Sequence, residues 1–322
     1  MKRRIFVGAG AAALADAPGW AQSKIGGDVR FYCGFAPGGT ADLLCRILAD
    51  AVTPEVGQKV IVDTKTGASG FIANETVANA APDGRTIGLA AMAAMCVAPV
   101  MPGQKLPINV DTDLAPIANI AGVYNMLVFG KHVPFRTVPE LIEHAKKNPG
   151  KLSYASAGAG NQTQLVAELL KAKAGIEVVH VPYKSGAEMV TAVLGEQVQL
   201  TFPDISILIP LIRDHKVKAL AVTSARRHPQ LPDVPTLLES GIPDFAITFW
   251  SGVVAPAGTP VAIVTKLNAA MDKGLRSQEI QDKLAAIGAQ TTPGSPQDFA
   301  SFIASETVKW REIAKTANVS LD

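Results

Sequence analysis

The chain has 322 residues, with 30 Lys and Arg against 28 Asp and Glu, 48% hydrophobic residues and three cysteines. That length accommodates two lobes with separate cores, on a scale of roughly 100–200 residues per domain. A net charge of +2 gives no electrostatic footprint for nucleic acid or for an anionic membrane surface.

The first residues read as an export signal rather than as part of the fold. Lys2, Arg3 and Arg4 precede an Ala- and Gly-rich run from Ile5 to Ala17, and Gly19-Trp20-Ala21 puts small residues at both specificity positions of a signal-peptidase site. Residues 1–21 are therefore expected to be a signal peptide, and the mature chain a soluble, formally neutral exported protein. Arg3-Arg4-Ile5-Phe6-Val7 also fits a twin-arginine signal, so the export route stays open; Asp16 is unusual for either route. Gly8-Ala9-Gly10-Ala11-Ala12-Ala13 matches the letters of a dinucleotide fingerprint but has no room for a strand before it. Beyond this segment no stretch reaches the ~18 apolar residues of a membrane span.

Val29–Cys33 reads as a short buried strand, and Leu44, Ile47, Leu48 and Ala51 recur at the spacing of one helical face. Between them, Phe35-Ala36-Pro37-Gly38-Gly39-Thr40-Ala41-Asp42 is a strand-to-helix turn. Pro37 ends the strand, Gly38-Gly39 turn the backbone without a Cβ, and Thr40 or a neighbour caps the helix. Such a turn aims free N–H groups and a helix dipole at one point, where a carboxylate or phosphate can settle. An ordinary Gly-Pro connection is the competing reading.

The pattern continues with a strand Lys59–Asp63, a loop Thr64–Gly70, a helix Ile72–Ala80 closed by Pro82-Asp83-Gly84, and a strand Thr86–Ala91. This alternation predicts a parallel sheet wrapped by helices. From Met101 to Pro116 it breaks into Pro, Gly and Asn, and then restarts. Strands are predicted at 126–129, 152–155, 177–181, 198–202 and 218–223, and helices at 138–147, 163–174, 187–194 and 205–213; Thr137 and Glu140 form a capping box. His228–Pro243, with four prolines, reads as a crossing segment. An apolar stretch Phe245–Ala255 and three helices beginning near Thr259, Ser277 and Ser295-Pro296 follow, and these helices are expected to return to the first lobe. The stripe Phe299, Phe302, Ile303, Trp310, Ile313 reads as core.

The expected fold class is therefore α/β with two lobes, residues 22–122 with 245–322 and residues 123–244, joined by two crossings and separated by a cleft. In the second lobe, Ser153 to Thr163 repeats the strand, glycine turn and helix start, now rich in hydroxyl and amide groups. Two such turns facing each other supply many hydrogen-bond donors and no fixed positive charge, which suits a carboxylate held by dipoles. The five histidines show no metal spacing, and there is no Gly-x-Ser-x-Gly elbow or Walker loop. No cofactor, metal or catalytic set is expected. Cys33, Cys45 and Cys96 lie in apolar settings and read as buried thiols, with a Cys33–Cys45 bridge as the alternative.

Several blocks occur in register along the chain: Phe35–Asp42, Ala80-Ala81-Pro82-Asp83-Gly84, Ala145–Leu152, His180-Val181-Pro182-Tyr183-Lys184, Leu220–Ser224 and Pro232-Asp233-Val234-Pro235-Thr236. Across essentially the whole mature chain these resemble the tripartite tricarboxylate transporter solute receptors, the Bug family of periplasmic binding proteins. The resemblance implies a type II periplasmic-binding, or Venus flytrap, fold that closes as a monomer on a small carboxylate. For some members it implies delivery to a membrane permease. Carried onto matching positions, it places Phe35, Gly39, Thr40 and Asp42 on one side of the ligand and Ser156, Asn161, Gln162 and Thr163 on the other. Asp42 equally suits a structural helix-start carboxylate, Asp204 is a further candidate, and Tyr183 either lines the cleft or packs at the hinge.

The chain departs from the family at Asp63–Phe71, where a usual polar position is Phe71, and at Gln164 and Ser185. With Met92, Met95 and Cys96 nearby, Phe71 predicts a ligand with an apolar or aromatic body and at least one carboxylate. Two other classes remain open: a sensor presenting its bound ligand to a membrane signalling protein, and an exported α/β enzyme acting on a small acid.

Overall fold

A computed structural model describes residues 25–101, 103–158 and 162–317; the expected signal peptide lies outside them. Strand β1 (Val29–Cys33) leads into helix α1 (Thr40–Val56), which ends on the left-handed Gly57, whose N–H donates to the Thr53 carbonyl. Then come β2 (Val60–Thr64), α2 (Phe71–Ala78) and β3 (Thr86–Ala91). β1 lies between β2 and β3 and pairs with both in parallel, as the alternating pattern predicts.

After β3 the chain makes a π-helical turn at Ala93–Val97 and a short helix α3 (Val110–Asp113), and then β4 (Leu114–Val123). Sequence reading left β4 out. Its small apolar residues show no alternation because both faces are largely buried, and Pro116 argues against a central strand. The proline is accommodated beside a register shift in the pairing with β10 (Phe249–Pro256). All eight β10 positions are buried, since it runs antiparallel between β3 and β4. A short β11 (Ala289–Thr291), also missed by sequence reading, completes a mixed sheet of order β11-β4-β10-β3-β1-β2.

The second sheet has the order β7-β6-β8-β5-β9. It comprises β5 (Met126–Phe129), β6 (Leu152–Ser156), β7 (Val178–Pro182), β8 (Leu200–Thr201) and β9 (Lys218–Val222), with helices α4 (Val138–Lys147), α5 (Gln162–Ala174), α6 (Gly186–Leu194) and α7 (Ile205–Arg213). β8 is two residues long, where five were expected. The capping box at α4 is present: the Glu140 N–H donates to Thr137 Oγ1, and Glu140 Oε2 accepts from the Arg136 N–H.

The chain passes between the sheets twice, at Tyr124-Asn125 and in the long segment from Thr223 to Thr248. Thr223 joins the two passages. Its N–H donates to the Asn125 carbonyl (3.0 Å), its hydroxyl lies 2.8 Å from the Ile247 carbonyl, and its own carbonyl accepts from Ile247 N–H (2.7 Å). Helices α8 (Val261–Arg276) and α9 (Gln278–Ala286) return to the first sheet, sharing a core with Leu44, Leu48 and Ile120. Helix α10 (Pro296–Ala317) does more than return. It lies on β4 and the π-helical turn and also on α5 of the second sheet, with Trp310 and Phe299 fully buried in one cluster with Leu165 and Leu169. The three cysteines are buried free thiols.

Candidate ligand-binding site

The β1–α1 turn is built by close backbone approach. A Cβ on Gly34 would stand 2.4 Å from the Cα of Gly70, and one on Gly70 would stand 3.1 Å from the Phe35 ring. Gly34-Phe35 therefore lie directly against the loop that precedes α2. Within that loop Gly67, Ala68, Ser69 and Gly70 all have positive φ (133°, 44°, 53° and 94°). Two of the four are not glycine, a strain on the order of 1–3 kcal/mol each that the surrounding contacts must sustain.

Of the two caps the sequence allowed for α1, Thr40 or a neighbour, the structure has the neighbour. Gly39 is the cap residue and contributes no side chain. The carboxylate of Asp42 instead reaches back to accept the Gly38 N–H (2.9 Å) and holds the Arg46 Nε–H (2.9 Å). The Arg46 guanidinium, helped by the Gly38 N–H, keeps the Asp42 carboxyl below the usual carboxylate range against the opposing effect of burial. Asp42 is buried at the start of the helix and compensated by Arg46, so its charge is countered at the turn.

A carboxylate with a depressed folded pKa stabilises the protein above its unfolded pKa of about 3.9 and loses that contribution as pH falls through the folded value. Asp42→Asn is expected to cost ~1 kcal/mol near neutral pH, discounted because Arg46 is half exposed. The difference from wild type should shrink as pH falls below the unfolded pKa of about 3.9 and vanish once the folded carboxyl is protonated. Denaturant unfolding of both proteins at a series of pH values measures it, and a constant difference down to pH 2 would remove the ion pair as its cause.

Freed from capping, the Thr40 hydroxyl lies 3.2 Å from the Ser206 hydroxyl in the first turn of α7. The N-terminus of a first-sheet helix thus meets that of a second-sheet helix. Asp204 precedes α7, with Oδ1 accepting from Asn125 Nδ2 (3.0 Å), which also donates to the Phe202 carbonyl (2.8 Å). Burial raises the Asp204 carboxyl, and the Asn125 bond opposes the shift. Tyr124 and Asn125 brace this corner: the Tyr124 carbonyl accepts from Ile205 N–H (2.9 Å), and the Tyr124 hydroxyl bonds Gln290 of β11.

The β6–α5 turn follows Ser156. The Thr163 hydroxyl accepts the Ala157 N–H (2.9 Å) and is buried, and Gln162 opens the helix half-buried. Asn161 lies outside the described residues. Ser156 is fully buried and bonded within the turn. Tyr183 donates its N–H to the Ser156 carbonyl (2.8 Å) and places its hydroxyl 3.3 Å from Gln197. Its half-buried ring packs beside Met189 and Val193 in the second lobe. Phe71 is 4% exposed and belongs to the core cluster with Val77, Met92 and Met95, a placement that assigns its ring first to packing.

Arg46, Asn125, His180 and Ser206 are not among the site residues expected from the sequence, where His180 reads as a core or edge imidazole. Ser206 and Asn125 act through tertiary proximity alone, which leaves no local pattern to find. His180 stands in one of the quoted blocks, and Arg46 follows Asp42 at the i, i+4 spacing of a helix pair, so both had a signal.

Two sheets joined by two stitched crossings, with helix N-termini meeting between them, define a two-lobed solute-binding fold. The chain matches the tripartite tricarboxylate transporter family receptor over residues 44–319 and belongs to that family. It is 30% identical over 293 residues to protein BugT of Bordetella pertussis, covering 91% of this chain and 90% of that protein. The solved structure of Rpa4515 of R. palustris with adipate superposes with a TM-score of 0.83 at 34% identity, covering 91% of this chain and 98% of the other. MatC of Rhodopseudomonas palustris with bound malate gives 0.79 at 29% identity, covering 89% and 98%. Among the described residues no helix is long and apolar enough to cross a membrane.

Proposed function

We propose that the protein is an exported periplasmic receptor that closes on a small organic dicarboxylate or related acid with an apolar body, for uptake through a tripartite tricarboxylate-type permease. The observation that carries this reading is the meeting of the α1 and α7 N-termini at the Thr40 and Ser206 hydroxyls. Helix N-termini present unsatisfied N–H groups and positive dipole ends, an arrangement that receives an anion without a lysine or arginine. The bound adipate and malate of two structural relatives support a carboxylate as the ligand class.

In this reading Phe35, Gly39 and Thr40 form one wall and Gln162 and Thr163 the other, with Asp204 and Ser206 at the closing corner. Asp42 and Ser156 hold the two turns in shape from within, and Tyr183 backs the second turn. Closure is a hinge motion about the passages joined by Thr223.

The test is thermal unfolding of the mature protein against aliphatic di- and tricarboxylates, aromatic acids, amino acids and neutral sugars. An acid at about a hundred times its dissociation constant should add ~2.7 kcal/mol, a rise of several degrees. Stabilisation by sugars alone, with none by any acid, would overturn the carboxylate reading.

A further inference from the structure

The second turn is shaped by a side chain from the neighbouring strand. β6 and β7 run parallel with Tyr154 opposite His180, and Ser156, two residues beyond Tyr154, projects to the same face of the sheet. His180 Nε2 lies 2.5 Å from Ser156 Oγ. The same Oγ accepts the Gly158 N–H (3.2 Å) and lies 3.0 Å from the Gly158 carbonyl. A hydroxyl has one proton and the Gly158 carbonyl can only accept, so all three contacts of Ser156 Oγ are satisfied together only when Ser156 donates to that carbonyl and His180 carries its proton on Nε2, the tautomer this network assigns. Gly158 sits at φ 119°, and both of its backbone polar groups are held by a hydroxyl that is itself held by His180.

The imidazole is in turn fixed from behind. The Tyr154 ring stacks on it at 5.0 Å and 22°. The Tyr154 hydroxyl donates to Glu168 on α5 (2.6 Å), and Glu168 pairs with Lys171. These groups set the ring plane and leave Nε2 directed at the turn. His180 itself is half-buried.

We infer that His180 is a positioning residue for the bound acid, fixing the β6–α5 turn through Ser156 without touching the ligand. This rests on the proposed carboxylate site for its functional consequence but not for its structural one. The two are therefore measured separately, by titration calorimetry with adipate and with malate and by amide exchange at Ala157 and Gly158.

His180→Leu should speed Gly158 amide exchange by about tenfold and weaken whichever acid the wild type binds by about tenfold, the range of one buried hydrogen bond. His180→Gln, whose amide can reach the Nε2 position, should restore both to within about threefold of wild type. Ser156→Ala should reproduce the loss, and adding it to His180→Leu should cost nothing more, because both act through one chain of bonds. Unchanged Gly158 exchange in His180→Leu, or fully additive losses in the double variant, would overturn the inference. If wild type binds neither acid, the positioning role is overturned for dicarboxylates of this kind, while the exchange data still decide what His180 does to the turn.

Discussion

Gly34→Ala is expected to destabilise the protein by ~3 kcal/mol, the upper end of overpacking effects, and to weaken ligand binding by more than about tenfold. The methyl would stand 2.4 Å from the Gly70 Cα, and backbone cannot yield as the end of a side chain can. Relief requires parting the β1–α1 turn from the Gly67–Gly70 loop, whose left-handed run depends on that contact. The same displacement moves Phe35, which packs on Gly70, and with it the start of α1, so stability and affinity should fall together. Gly26→Ala is the matched control, since a methyl there meets nothing within 4 Å; it should leave both quantities within about 0.5 kcal/mol of wild type. Thermal unfolding and calorimetry on the two variants give the comparison. A Gly34→Ala protein with wild-type melting and binding would show that the two loops are not rigidly coupled.

The legible parts of this fold were those whose signal is local. α4 falls where its capping box puts it and α7 where its apolar run does, and β1, β3 and β5 are short apolar runs bounded by turns. β4 escaped because a strand buried on both faces has no alternation, and because Pro116 is tolerated only beside a register shift that no sequence shows. β11 is three residues long and has meaning only beside β4. The position of α10 across elements of both sheets was equally hidden, since its apolar stripe states that a face is buried but not against what. The same division runs through the site. Both strand-to-helix turns were readable from glycines and polar residues. Their internal wiring was not: Asp42 rather than Thr40 completes the first turn, and His180 reaches the second from another strand. Thr40 consequently gains a partner 166 residues away in Ser206, a pairing that only the folded chain defines.

Phe71→Asn is expected to cost ~4 kcal/mol, the scale of deleting a buried aromatic ring, with the added penalty of an amide among apolar groups. The ring is 4% exposed and lies in one buried cluster with Val77, Met92 and Met95, so its removal leaves both a cavity and an unpaired polar group. Asn74, one helical turn on, places its Nδ2 against the Met95 sulfur at 3.7 Å and leaves its buried Oδ1 without a partner, so this part of the core satisfies even one amide incompletely. Because that variant is strongly destabilised, the ligand question is better put to Phe71→Leu, which keeps an apolar side chain and should cost only ~1 kcal/mol. If Phe71 acts through packing, Phe71→Leu will keep the wild-type ranking of aromatic against aliphatic acids while the melting temperature falls. The apolar body predicted for the ligand would then have to be met by another wall of the cleft, and Phe35 is the aromatic residue the site offers. If the ranking reverses with little change in melting, the ring turns out of the core on closure and touches the ligand directly. The two outcomes separate a residue that shapes the first lobe from one that chooses what the protein binds.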